Sequence, residues 1–95
     1  MAVYVDNERN RYGRMAMCHM VADTEDELHV MADRISVDRR RKSKSRSGII
    51  HYDICKSRRK LAVAVGAIEI TARELISQFY QQNGKEYSDE VHRHI

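Results

Sequence analysis

Met15-Ala16-Met17-Cys18-His19-Met20-Val21-Ala22 runs straight into Asp23-Thr24-Glu25-Asp26-Glu27-Leu28, and this stretch decides the class of fold. The first eight residues are apolar apart from His19. A run of that length reads as a buried strand, with helix as the alternative. Residues 23–28 read as a helix start. Thr24 and Glu27 have capping-box spacing, and Glu25, Asp26 and Glu27 set negative charge at the positive end of the helix dipole. Leu28, Met31, Ala32 and Ile35 then recur at helical spacing and predict a helix over 24–35 with one buried stripe.

The same alternation extends outward. Residues 2–5 read as a short strand ending at Asp6, and residues 7–13 as a polar loop closed by Gly13. Downstream, 39–46 holds six basic residues in eight and no apolar one, so it reads as a solvated loop. A third strand is expected over 49–54. Ser57 is expected to cap a second helix through Leu61, Ala62 and Val65, with Gly66 ending it. Residues 67–70 suggest a fourth strand. Thr71 with Glu74 opens a third helix, whose stripe is Leu75, Ile76, Phe79 and Tyr80. The order β-β-α-β-α-β-α predicts an α/β fold: a small single domain with a mainly parallel four-strand sheet covered by three helices. That domain is expected over 1–84 with a basic loop at 39–48. A polar tail is expected at 85–95, where His92 and His94 read as part of a frayed end rather than a metal clip.

The 95 residues are 42% hydrophobic, enough for one modest core. Mean hydropathy is −0.65, and no apolar run approaches the roughly 20 residues that span a bilayer. The N-terminus lacks the basic and long apolar regions of a secretion signal, so no membrane association and a cytoplasmic location are expected. Cys18 and Cys55 are the only cysteines and are expected reduced. A zinc set of Cys18, His19, His51 and Cys55 can be written down, but neighbours Cys18 and His19 face opposite sides of a strand, which favours two partly buried thiols. The net charge of +3 hides an asymmetry: residues 39–60 carry ten Lys/Arg against one acid, Asp53, and the rest is acidic. A basic centre on an acidic frame bears on partners, not on fold.

Polar residues inside strand-like segments mark the candidate site. In His51-Tyr52-Asp53, strand alternation turns His51 and Asp53 to one face and Tyr52 to the other. His19 interrupts the neighbouring strand-like run. A His–Asp pair of this kind fixes a tautomer for acid–base work or metal ligation, which makes His19, His51 and Asp53 the catalytic candidates. In a parallel sheet, Asp6, Asp23 and Asp53 gather near the carboxyl ends of strands, where ligands bind. They are the candidate ligands for a divalent metal, the one cofactor these residues suggest, while the plain reading of Asp6 and Asp23 is as turn or cap residues. Arg14, His19, Asp23, His29, His51 and Asp53 are the candidate ligand-binding set. His29 otherwise reads as an exposed i,i+4 partner of Asp33. Arg39, Arg40, Arg41, Lys42, Lys44 and Arg46 form a basic loop suited to phosphate, although no aromatic residues interleave it for base stacking.

Several of these residues also carry a family resemblance. Met1-Ala2-Val3-Tyr4-Val5-Asp6, Tyr12-Gly13-Arg14-Met15, Met17-Cys18-His19-Met20, Ala22-Asp23, Asp26-Glu27-Leu28-His29, Ala32-Asp33-Arg34-Ile35, His51-Tyr52-Asp53, Gly66-Ala67 and Arg73-Glu74-Leu75 together resemble the small bacterial and phage family catalogued as domain of unknown function 4031. The resemblance spans residues 1–77. It implies that His19, Asp23, His29, His51 and Asp53 fall on recurring polar positions, and it supplies no activity. This chain departs from the pattern twice: the Arg/Lys/Ser run replaces a shorter connection before His51, and Ser36 stands where a glycine is usual.

These residues support three functional readings. The leading one is a binding module for a phosphorylated small molecule, nucleotide or nucleic-acid backbone, using the His/Asp cluster with the basic loop as a lid. The second is a metal-dependent, nuclease-like phosphoester hydrolase, with Asp6, Asp23 and Asp53 holding the ion and a histidine as base. The third is an interaction protein whose basic loop meets an acidic protein partner. The sequence leaves the oligomeric state open.

Overall fold

A computed structural model describes residues 2–12, 15–46 and 48–80. Arg14 and the tail with His92 and His94 lie outside them. The chain forms β1 (Val3–Val5), β2 (Asn10–Tyr12), β3 (Met15–Ala22), α1 (Glu25–Arg34), a single 3-10 turn (Arg39–Arg41), β4 (Lys42–Lys44), β5 (Ile50–Cys55), α2 (Lys56–Ala64), β6 (Ile68–Glu69) and α3 (Ala72–Leu75), which continues as a π turn over Ile76–Tyr80.

The fold is α/β with three helices, but the expectation of a mainly parallel sheet is wrong. The strand order is β4-β5-β3-β1-β6, with β2 paired to β3. Every pairing is antiparallel except β1 with β6. Two short polar segments with the look of loops cause the error. Asn10–Tyr12 pairs back on β3, and Lys42–Lys44 pairs back on β5, so each hairpin inserts an extra strand and reverses the direction of the strand that follows it. β4 is exposed at every residue, and a short lysine-bearing edge strand carries no apolar alternation to reveal it.

The helices cover the two faces of the sheet unequally. Val3, Val5, Cys18, Met20, Tyr52 and Ile54 form one face and pack against Leu28, Met31, Ala32 and Ile35 of the α1 region and Ala62 of α2. Tyr52, Met20, Leu28, Ile35 and Ile54 are almost completely buried, each worth about 1.5–3 kcal/mol. On the other face, Leu75 and Phe79 pack on Val21 with Tyr4 beside them, and the Tyr4 and Phe79 rings meet edge to face at 5.5 Å. That second cluster covers only part of its face. No helix of the described residues is long and apolar enough to cross a membrane.

Helix ends obey local chemistry at both poles. Thr24 caps α1 by accepting the Glu27 N–H, and Thr71 and Glu74 form a complete capping box on α3. α2 departs from expectation: its N-cap is Cys55 rather than Ser57, with no side-chain capping bond. α1 and α2 end alike. Val37 N–H donates to Ala32 O and Ser36 N–H to Asp33 O; Ala67 N–H donates to Ala62 O and Gly66 N–H to Val63 O. This termination needs a left-handed residue, and Gly66 takes φ 115° while Ser36 takes φ 60°. The structure thus gives a physical reason for a glycine at position 36, where this chain has serine.

Candidate functional site

β3 and β5 build the site. Their antiparallel register sets His19 directly opposite Asp53, and alternation along β5 puts His51 on the same face. His19 Nε2 lies 3.5 Å from Asp53 Oδ1, and His51 Nε2 lies 3.8 Å from the same oxygen. The two imidazoles meet at 5.5 Å between centroids, with planes at 70°. One ligand atom from each of His19, His51 and Asp53 falls within 4.8 Å of the others, the single such group among the described residues. The site faces outward, with the Asp53 side chain 47% exposed and His19 30% exposed.

Both imidazoles are held by the nitrogen that faces away from Asp53. His19 Nδ1 bonds Asp6 Oδ2 at 2.8 Å, and the His19 backbone N–H donates to Asp6 Oδ1 at 2.9 Å. Asp6 N–H in turn donates to His19 O at 3.0 Å. Asp6 is only 1% exposed, so it acts as a buried anchor. Burial pushes its carboxyl up, but the hydrogen bonds and positive charge of His19 outweigh burial and hold it below the usual carboxylate range. The hydrogen bond to Asp6 likewise raises the His19 pKa, against burial and with help from the nearby carboxylates. His51 Nδ1–H donates to the Ile49 carbonyl at 3.2 Å. With Nδ1 donating in both, each ring in its neutral form would present the Nε2 lone pair to the Asp53 side, the tautomer metal ligation requires; for His19 that form is reached by losing a proton that Asp6 helps to hold.

The remaining candidates part company with this cluster. Asp6 is brought to it as the support of His19, with both oxygens occupied, rather than as a ligand. Asp23 is carried away. β3 runs antiparallel to β1 and Ala22 pairs with Val3, so Asp23 sits at the far end of the sheet, where its Oδ2 accepts the Ala2 N–H at 3.0 Å. The parallel sheet that would have gathered Asp6, Asp23 and Asp53 is absent. His29 lies on the other side of β5. Its Nε2 bonds Glu25 at 2.8 Å and its Nδ1 bonds the Tyr52 hydroxyl at 2.7 Å, so its helical partner is Glu25 and not Asp33. Burial pushes the Tyr52 phenol up and keeps it a proton donor.

The basic loop does not close over the cluster either. Arg39 pairs with Asp33 and Arg40 with Asp38, each at 2.9 Å, and Lys42 lies 3.7 Å from Glu25. Lys42 and Lys44 pair with Tyr52 and Ile50, placing them on the α1 side, whereas exposed Ser43 pairs with His51. The zinc set fails as well. Cys18 is buried on the helix-covered face, its thiol pushed up to about 11 by burial and the Asp6 charge. Cys55 Sγ sits 3.3 Å from Ser57 Oγ, whose hydrogen bond lowers its pKa.

Sequence reasoning missed two supporting residues. Arg59 Nε–H donates to the Asp6 carbonyl at 2.8 Å while Nη1 reaches Glu69 at 3.0 Å, tying α2 and β6 to the anchor. Tyr52 closes the network on the reverse face. Nothing in the chain marks Arg59 apart from the basic residues beside it, but the phenol between His51 and Asp53 was a signal for a polar partner on the opposite face.

No curated protein and no solved structure matches the chain. The family described as "Protein of unknown function (DUF4031)" matches residues 3–82, most of the sequence and the whole of β1 to α3, and the chain belongs to that family.

Proposed function

We propose that the protein is a metal-dependent phosphoester hydrolase whose ion is held by His19 Nε2, His51 Nε2 and Asp53 Oδ1. The observation that carries this reading is the convergence of three ligand atoms whose two imidazoles are each anchored at the opposite nitrogen. Tetrahedral bonds of roughly 2.0–2.1 Å put ligand atoms about 3.3 Å apart. The two histidine-to-carboxylate separations are 3.5 and 3.8 Å and the three ligand atoms lie within 4.8 Å of one another, so the two imidazoles would also have to close on each other to reach that spacing. Two imidazoles and one carboxylate suit zinc, manganese or iron better than the all-oxygen preference of magnesium or calcium. Held there, such an ion would supply Lewis acidity and would activate a water as nucleophile. Within the chain, Asp6 and Ile49 O orient the rings, and the exposure of Asp53 gives a substrate access.

Arg39, Arg40 and Lys42 are paired with carboxylates and Lys44 is turned to the α1 side, which favours this reading over a lidded binding module. The test is a calorimetric titration of metal-free protein with Zn²⁺, Mn²⁺ and Mg²⁺, followed by a panel of phosphomonoesters and phosphodiesters with each bound ion. Stoichiometric binding of Zn²⁺ or Mn²⁺ and turnover lost in Asp53→Ala are expected. Binding without turnover of any phosphoester would reduce the site to a metal-binding one, and no binding would reject both steps.

A further inference from the structure

A dense run of positive charge lies on α2. Lys56, Arg58, Arg59 and Lys60 put four cations into five residues, and the helix Lys-Ser-Arg-Arg-Lys-Leu-Ala-Val-Ala contains no acid. Among the described residues only Arg59 of these four has an ion pair, with Glu69. The basic loop differs: Arg39, Arg40 and Lys42 already face carboxylates.

The placement of the α2 cations costs stability. α1 begins with Glu25, Asp26 and Glu27, and α3 begins with a capping box containing Glu74. α2 instead sets Lys56, Arg58 and Arg59 in its first turn, where the dipole is already positive and like charge is unfavourable. Local rules broken without compensation inside the fold point to function. Two of these cations, Lys56 and Arg59, line a cleft of about 430 Å³ together with Asn7, Glu8, Arg9 and Cys18. Arg59 is fixed there by its bonds to Asp6 O and Glu69, while Lys56 and Lys60 are exposed.

We propose that Lys56, Arg59 and Lys60, which share one face of α2 at i, i+3 and i+4 spacing, with Arg9 across the cleft, form a docking surface for the phosphodiester backbone of a nucleic acid, to which Arg58 adds charge from the other flank of the helix. The charges extend over more than a helical turn and into the cleft, which fits successive phosphates better than a single phosphate group. Lys56, Arg58 and Lys60 carry charge that no described carboxylate pairs, and the phosphates supply its complement. With no aromatic side chain among these five residues, the surface reads backbone and not base sequence. The surface is separable from the metal site by mutation: α2 packs through Ala62 on the Tyr52 and Ile54 face, opposite His51 and Asp53, and Arg59, which reaches the His19 anchor through Asp6 O, is left unchanged in the variants below.

The test is fluorescence anisotropy of a labelled random-sequence DNA duplex titrated with the full chain in EDTA across a salt series. Binding is expected with a log–log salt slope of about −3 or steeper. The K56Q/R58Q/K60Q variant should lose about one unit of slope per phosphate contact removed, with affinity down more than about tenfold at low salt. H19A and R39Q/R40Q should bind as the wild type does. Circular dichroism establishes that each variant is folded, and K60Q alone, at an exposed position, supplies a smaller graded loss if the triple variant unfolds. Absence of duplex binding at low salt, or unchanged binding by the α2 variants, would overturn the proposal. Saturation by inorganic phosphate without duplex binding would overturn it too and assign the cleft to a small anion. Loss of metal binding in H19A with duplex binding intact would separate this surface from the proposed hydrolytic site.

Discussion

β5 carries a histidine network on each face, and the two use the same residue types to different ends. On the helix-covered face, His29 bonds Glu25 through one ring nitrogen and the Tyr52 hydroxyl through the other. Both nitrogens are spent, and the network clasps α1 to the sheet. On the open face, His19 and His51 each spend only Nδ1, on Asp6 and on Ile49 O, and hold Nε2 toward Asp53. The difference teaches that anchoring one nitrogen makes a ligand, whereas anchoring both makes a fastener.

The largest expected effect separates the two networks outright. His19→Ala or Asp53→Ala should weaken Zn²⁺ binding by more than about 100-fold, beyond the roughly 10–100-fold cost of losing an outer partner. His29→Ala should leave Zn²⁺ affinity unchanged; competition against a chromophoric chelator measures all three. Equal losses in His19→Ala and His29→Ala would erase the distinction between the faces.

The faces also differ in their thiols. Cys18, on the covered side, has its pKa pushed up to about 11, while that of Cys55 lies below an ordinary thiol's. Thiolate is the reactive form, so at neutral pH Cys55 should label faster than Cys18 by more than about 100-fold. Its rate should level off at lower pH than an ordinary thiol's, and Cys18 should label only on unfolding. Mass spectrometry after timed alkylation reads both sites.

Asp6→Asn probes the anchor of the open face. It should lower Zn²⁺ affinity by about 10–100-fold, because the His19 ring loses the acceptor that fixes its tautomer. Tyr52→Phe is the matching change on the covered face. It leaves His29 Nδ1 unsatisfied and should cost about 1–2 kcal/mol in urea unfolding, with metal affinity unchanged. The smallest effect concerns α1, which carries His29. Ser36→Gly should stabilise by about 0.5–1 kcal/mol, since serine holds φ 60° there and glycine does so without strain. It too should leave metal binding alone.

The local elements were the legible part of this chain. The apolar run of β3, the Thr24 cap with the α1 stripe, and the Thr71–Glu74 box all announce themselves, because each depends on neighbours within a turn or a strand. Strand direction was not legible. It rests on two hairpins whose outer strands, Asn10–Tyr12 and Lys42–Lys44, are short and polar. That same error decided the fate of the carboxylates. Alternation alone put His51 and Asp53 on one face, and that pairing needs no topology. Assigning roles to Asp6 and Asp23 needed the direction of β3, which makes one the support of His19 and removes the other to the far end of the sheet.

The most direct test of the open face as a metal site is a crystal structure grown with Zn²⁺ and phased on the anomalous signal of the metal. One peak is expected, bonded to His19 Nε2, His51 Nε2 and Asp53, with Asp6 still on His19 Nδ1. A peak on Cys18 or Cys55, or an Asp53 carboxylate hydrogen-bonded to both histidines with no metal near it, would contradict that assignment.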